Sequence, residues 1–201
     1  MTALQSPAYD IVVIGTSAGG LDALRTIISA LPATYAIPVA LVQHRHRDSD
    51  AALARFLQDF TRLPVCEVED KQPLEPGRVF VAPANYHMLV EQGHFSLSVE
   101  APVRYSRPSI DVALSSAADA YAHRAVGVIL TGANADGSIG LRHLVDRGGM
   151  AVVQEPTTAE SSAMPKAALK AVPTARVFPL TRIASFLGEL SQVRDAVRST
   201  A

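Results

Sequence analysis

Apolar residues along this chain fall into two patterns that alternate. Short, continuous, β-branched runs occur at Tyr9–Ile14, Pro38–Gln43, Ala125–Leu130 and Met150–Gln154. Such runs read as strands buried on both faces. Between them, apolar residues recur at helical spacing. Leu21, Leu24, Ile27, Ile28 and Leu31 predict a helix over Leu21–Leu31, closed by Pro32. Leu53, Phe56, Leu57 and Phe60 predict another over Ser49–Phe60, with Ser49 as N-cap and Asp50 in its first turn. Further helices are expected over Pro108–Ala122, Asp136–Arg147, Ser161–Lys170 and Ile183–Val197, with a short strand at Arg176–Leu180. The middle of the chain differs. Val65–Glu69, Arg78–Ala82, Met88–Glu91 and Phe95–Val99 are short runs split by Pro, Gly and Asn, and Gln92-Gly93 marks a hairpin. This section predicts a small antiparallel or mixed insertion at the sheet edge. The fold class expected is α/β: one doubly wound domain over residues 1–201, its core at about 9–190, with a mostly parallel sheet and a small antiparallel hairpin insertion.

Composition narrows the function classes. Of 201 residues, 48% are hydrophobic and 18% charged, with a net charge of -1, so nothing favours nucleic acid or an anionic membrane as partner. No apolar run approaches the roughly 18 residues of a membrane span, and Met1–Ala8 lacks the pattern of a secretory signal. The chain is therefore expected not to be membrane-embedded. The single cysteine, Cys66, fits a reducing, cytoplasmic setting and is expected to be buried and structural.

Three strand ends carry groups that hydrolysis needs. Gly15–Gly20 passes straight from a strand into a helix and has the form G-x-S-x-G around Ser17. Free amides at a helix N-terminus stabilise an oxyanion, which makes Ala18 and Gly19 part of the candidate site. The same turn also suits a phosphate cradle or plain structure. His44 ends the second strand and has the chemistry of a general base; a surface histidine is the plain alternative. His44 and His46 form an H-x-H pair without a third ligand at a familiar spacing, so no metal or other cofactor is expected. Gln43 is a neighbour suited to orienting the site. Asp136 follows Ala125–Leu130 and is expected to accept the Nδ1–H of His44; helix N-capping is the plain alternative and is compatible with that role. Arg107 either faces the cleft or binds a carboxylate.

Six segments, IGTSAGG, LVQH, VFVAPANYHM, RPSIDVALSSAA, GVILTGANADGSIGL and SSAMPKAAL, occur in an order that resembles the methylesterase domain of the CheB family, from about Tyr9 to Leu190. The long TG-x-x-x-DG-x-x-G block is much more selective than the serine turn. The resemblance implies Ser17 as nucleophile, His44 as base and Asp136 as carboxylate. It implies hydrolysis of glutamate γ-methyl esters on methyl-accepting chemotaxis receptors, with deamidation of receptor glutamines as a related activity, and other chemosensory signalling proteins as further partners. His87 falls in a family motif and is expected to support the site from behind. The chain departs from the family pattern at Ala18, where Thr is common, at Arg45-His46, where Met-Pro is common, and at Asn134, where Gly is common and whose side chain is expected either to intrude into the site or to assist it. Only Met1–Ala8 precede the first strand, so regulation without the family's receiver domain is expected.

Two other classes stay open at this level. GTSAGG is also similar to the nucleophile turn of patatin-like lipases, whose chemistry does not need His44. A non-catalytic chemosensory regulator would keep the fold and the surface while losing activity.

Overall fold

The computed structural model describes residues 9–49 and 52–191. Its centre is a seven-stranded parallel sheet formed by β1 (Ile11–Thr16), β2 (Val39–Gln43), β3 (Val65–Glu67), β4 (Val79–Val81), β7 (Ala125–Ile129), β8 (Met150–Gln154) and β9 (Arg176–Phe178), in the order β3-β4-β2-β1-β7-β8-β9. A separate antiparallel pair, β5 (His87–Glu91) and β6 (His94–Ser98), makes the expected hairpin. The helices are α1 (Gly20–Ser29), α2 (Ala52–Gln58), α3 (Ile110–Tyr121), α4 (Ser138–Asp146), α5 (Ala163–Ala171) and α6 (Leu180–Leu190).

The sheet is buried on both faces, which is why its central strands are apolar without alternation. Val12 and Ile14 of β1 point into a core with α1, α2 and α6, built on Leu24, Ile28, Leu57, Ile183 and Leu187. Ile11 and Val13 point the other way, toward Leu114, Leu141, Leu144 and Ala168 of α3, α4 and α5. The result is three layers. Order along the sheet reverses between β1 and β7, and sites in open parallel sheets form outside the strand ends at such a point.

Several boundaries differ from the sequence expectation. Strand β1 extends two residues further, so Gly15 and Thr16 lie inside it rather than in the turn. The runs at 65–69 and 78–82 are not part of an antiparallel edge insertion. They supply β3 and β4, which extend the main sheet in parallel, β4 pairing with β2 and β3 with β4 at the edge. The β5–β6 hairpin does not extend the sheet. It packs its apolar face, Met88, Val90 and Phe95, into the core under α3. Asp50, expected in the first turn of α2, and the end of the predicted last helix, residues 192–197, lie outside the described residues. Cys66 is half-buried and accepts a hydrogen bond from Gln72 Nε2 at 3.3 Å. No helix among the described residues is long and apolar enough to cross a membrane.

Two glycines let α3 settle where the site needs it. A Cβ on Gly15 would stand 2.2 Å from Ile110 Cγ2, so the first turn of α3 rests directly on β1. A Cβ on Gly140 would stand 2.5 Å from the Asp111 carbonyl and 2.8 Å from Leu114 Cβ, so α3 and α4 cross at nearly backbone contact. Overpacking such a crossing costs about 1–3 kcal/mol. Alanine gains roughly 1 kcal/mol over glycine in helix propensity. Gly140→Ala is expected to be net destabilising, read as a lower urea midpoint with an unchanged slope. A midpoint at or above wild type would show that the crossing has slack.

Candidate active site

The carboxyl ends of β1 and β2 are neighbours in register. Thr16 pairs with Gln43, and the His44 amide donates to the Thr16 carbonyl at 3.1 Å. Ser17 and His44, one step beyond, therefore emerge from adjacent strands about 5 Å apart along the hydrogen-bonding direction. Gln43 locks them together: its buried Nε2 donates to the carbonyls of Ser17 at 2.9 Å and His44 at 2.8 Å. Ser17 and Gly19 are half-buried and Ala18 is exposed. The backbone turns at Gly19, φ 75°, which is the N-cap of α1. Among the described residues the amides of Ala18 and Gly19 have no hydrogen-bond partner and form a donor pair beside Ser17. Ser17 Oγ likewise makes no hydrogen bond among the described residues.

Thr131 fixes this turn from the β7 side. Its carbonyl accepts the Ser17 amide at 3.0 Å and the Thr16 hydroxyl at 2.8 Å. Its own hydroxyl donates to the Ala18 carbonyl at 2.8 Å and accepts the Ser161 amide at 2.9 Å. The segment before α5 is thereby laced to the serine turn. Glu160 lies against Gly19, where a glycine Cβ would meet its side chain at 2.7 Å.

Asp136 is fully buried and accepts five hydrogen bonds. His44 Nε2 lies 2.7 Å from Oδ2. The amides of Ile110 and Asp111, in the first turn of α3, donate to it at 2.7 and 3.0 Å. The Ser109 hydroxyl, at the N-cap of α3, donates at 2.9 Å, and the Gly137 amide at 3.0 Å. Two expectations change here. The histidine offers Nε2, not Nδ1, to the carboxylate. And Asp136 is not the N-cap of the helix that follows it, which is Gly137; its carboxylate instead accepts the first-turn amides of α3, whose own N-cap is Ser109. Burial pushes the Asp136 carboxyl up, but the His44 hydrogen bond, the Ile110 and Asp111 amides and the charge of His44 outweigh it and hold the group below the usual carboxylate range.

Asp111 repays the arrangement in the other direction. Its Oδ1 accepts the amides of Ile139 and Gly140 in the first turn of α4, at 2.9 and 2.8 Å. Burial raises its carboxyl, as does the nearby Asp136 charge, against the Gly140 amide and the Arg104 guanidinium. Arg104 Nε stands 3.3 Å from Oδ2. Behind Asp136, buried His87 donates from Nε2 to the Ala101 carbonyl at 3.1 Å and accepts the Ser109 amide on Nδ1 at 3.2 Å. His87 thus holds the residue that holds Asp136. Ser109, Asp111 and Thr131 were not singled out from the sequence. Ser109 had a local signal, a serine just before a helix, but its partner lies 27 residues away.

His44 and Arg45 form a ridge between two open clefts. One, of about 660 Å³, runs between α1 and α2 past Leu21, Leu53 and Phe56. The other, of about 510 Å³, is bordered by Arg47, Asn85, Tyr105 and Arg107. Arg107 borders this cleft, but most of its donors are engaged: Nε and Nη2 on Asn85 Oδ1, and Nη1 on the carbonyls of Val99 and Glu100. Arg45 is joined to Glu67 at 2.6 Å. Asn134, in the turn after β7, borders the His44 ring. No group of three or more metal-ligating side chains occurs among the described residues.

Comparison with known proteins gives a consistent picture. The family model for CheB methylesterase matches residues 12–187. A Leptospira interrogans protein, provisionally named protein-glutamate methylesterase/protein-glutamine glutaminase, is 43% identical over 185 residues, which cover 92% of this chain and 96% of that protein. Protein-glutamate methylesterase FrzG of Myxococcus xanthus is 35% identical over 182 residues, 90% of this chain and 54% of FrzG, so the chain spans about half of that relative. The crystal structure of the Thermotoga maritima CheB methylesterase catalytic domain superposes with a TM-score of 0.87 at 32% identity, covering 90% of this chain and 98% of that one.

The depressed Asp136 carboxyl makes a stability prediction. A group whose folded pKa is lowered contributes stability that is complete above its unfolded value, near 4, and is lost as pH falls through the lower folded value. Asp111, raised on folding, contributes with the opposite sign. The readout is therefore the difference between wild type and Asp136→Asn. The variant is expected to unfold at lower urea at pH 7, with the gap narrowing below about pH 4. A gap independent of pH would place the loss in packing rather than charge.

Proposed function

We propose that this chain, which belongs to the CheB methylesterase family, is a serine hydrolase that removes methyl groups from glutamate γ-methyl esters on methyl-accepting chemoreceptors, releasing methanol. The observation that carries the site assignment is the 2.7 Å contact between His44 Nε2 and an Asp136 carboxylate held by helix amides. With Nε2 committed to Asp136, Nδ1 is the ring nitrogen left to take a proton from Ser17.

The reaction then has two halves. His44 Nδ1 accepts the Ser17 hydroxyl proton as Oγ attacks the ester carbonyl. The negative charge that develops on the carbonyl oxygen lies within reach of the Ala18 and Gly19 amides, reinforced by the N-terminus of α1. Collapse breaks the bond to the methoxy oxygen, which leaves as methanol with the proton from His44, and the glutamyl group stays on Ser17. A water, deprotonated by His44, attacks this ester and frees the glutamate side chain. A glutamine substrate follows the same course with ammonia as leaving group, the glutaminase activity in the names of the relatives. Asp136 stays ionised throughout, stabilising the imidazolium without taking its proton. Ala18, where the family commonly has Thr, leaves backbone amides as the oxyanion donors.

The open clefts on both sides of His44 suit a side chain presented on a protein surface better than a small molecule enclosed in a pocket. The cytoplasm, where receptor methylation sites of this kind are exposed, is the compartment we assign.

The test is methanol release from methylated receptor membranes. Wild type is expected to release methanol, and Ser17→Ala and His44→Ala are each expected to lose at least about a thousandfold in kcat/KM. Retention of most activity in Ser17→Ala would remove it as nucleophile. Retention in His44→Ala would favour a dyad of the patatin kind. No release by wild type, on membranes that a known methylesterase demethylates, would overturn the substrate assignment.

A further inference from the structure

Asn134 is the polar side chain at the site that this mechanism leaves unused. Its Oδ1 accepts the Asp136 amide at 3.0 Å. That bond settles which end of the carboxamide points where. Nδ2, which can only donate, is turned toward the ring and lies 3.4 Å from His44 Nδ1. On the other side of the ring, Nε2 lies 2.7 Å from Asp136 Oδ2, an acceptor. A ring nitrogen facing a donor presents its lone pair; one facing a carboxylate carries the proton. Both neighbours select the same neutral tautomer, protonated on Nε2 and open on Nδ1.

We infer that Asn134 is a positioning residue that opposes protonation of His44 at Nδ1, holding the base nitrogen free until the Ser17 hydroxyl displaces the carboxamide. The inference rests on the reading of His44 as the base. A hydrogen bond to the neutral form of a group disfavours its charged form, so Asn134 acts against Asp136, which favours the imidazolium. Other charged groups face the ring region from each side. Arg45, His46, Arg47 and Asp48 follow it in the chain, Arg45 being paired with Glu67. Arg107 stands across the second cleft, Asp111 and Arg104 lie behind Asp136, and Glu160 lies across Gly19. Among the described residues, Asn134 and Asp136 are the groups seen within hydrogen-bond reach of the His44 ring nitrogens.

The turn role and the ring role of Asn134 separate by chemistry. Capping the Asp136 amide needs only an acceptor. Opposing a proton on Nδ1 needs the NH2 group. Asn134→Asp keeps the acceptor and turns a carboxylate toward Nδ1. Asn134→Ser keeps a short acceptor, adds no charge, and removes the NH2. Asn134→Gly removes both.

The experiment is an NMR titration of the His44 ring nitrogens in the full chain without substrate, together with the pH profile of kcat/KM for methanol release. In Asn134→Asp the ring is expected to titrate about one pH unit higher than in wild type, with the acid limb of the profile moving by the same amount and kcat/KM on that limb falling about tenfold. Asn134→Ser and Asn134→Gly are expected to move in the same direction by less. A cap alone predicts another order, with Asn134→Ser like wild type, Asn134→Gly altered, and Asn134→Asp raised only by the charge it adds; Asn134→Ser like wild type would therefore overturn the inference, as would no movement in any variant. Should Asn134→Asp fail to fold, because its carboxylate adds to Asp136 and Asp111, Asn134→Ser decides. The ring titration needs no substrate, so it decides the inference even if the methylesterase reading fails.

Discussion

The N-terminus of α3 and the carboxylate of Asp136 each need what the other supplies. A helix start leaves backbone amides without partners, and a buried carboxylate is tolerated only when donors surround it. Ser109, Ile110 and Asp111 provide those donors, and Asp136 provides the acceptors. Asp111, on the same turn of α3, returns the service to the start of α4. Two helices are thus pinned to each other by exchanged carboxylates. The cost of burying two acids near one another is met by opposed helix ends, and the geometry this imposes leaves only one free direction for Asp136, toward His44.

That constraint explains why residues far from the chemistry are small. Gly15 lets Ile110 sit on the end of β1, and Gly140 lets α4 pass close to the Asp111 carbonyl. A Cβ on Gly15 would press the start of α3 away from β1, and one on Gly140 would press α3 and α4 apart at their crossing. His87 serves the same end from the hairpin, holding the Ser109 amide while the Ser109 hydroxyl holds the acid. The hairpin, which adds nothing to the main sheet, is thereby tied to the position of a buried carboxylate.

The serine side of the site is built differently. There the backbone does most of the positioning. Parallel register places Ser17 beside His44, and Gln43 and Thr131 fasten the turn through carbonyls and amides. The polar groups of the turn that make no hydrogen bond among the described residues, apart from Ser17 Oγ, are peptide amides, those of Ala18 and Gly19, so they do not depend on the side chain at position 18. Polar choice matters most where a side chain faces the imidazole itself, which is the position Asn134 occupies.

How much of this was legible in the amino-acid order differs by level. Continuous apolar runs fixed β1, β2, β7 and β8, since a strand covered on both faces cannot alternate, and the helical patterns placed α1 to α5 to within about three residues, while α6 begins three residues before its expected start and its expected end lies outside the described residues. The strand-to-helix turns after β1 and β7 and the strand end at β2 pointed to Ser17, Asp136 and His44, because such turns gather in one place in any open parallel sheet. The short runs at 65–69 and 78–82 were read as part of an antiparallel or mixed insertion at the sheet edge; they lie at the edge, but in parallel and as part of the main sheet. A three-residue strand carries too little pattern to reveal its partner, and the parallel pairing follows from the edge that β2 offers β4 and that β4 in turn offers β3. Which nitrogen His44 turns to Asp136, and which helix's first-turn amides Asp136 accepts, were decided by tertiary structure alone. Both depend on contacts between segments 25 to 92 residues apart in sequence, and on how closely α3 approaches the sheet, which local patterning does not encode.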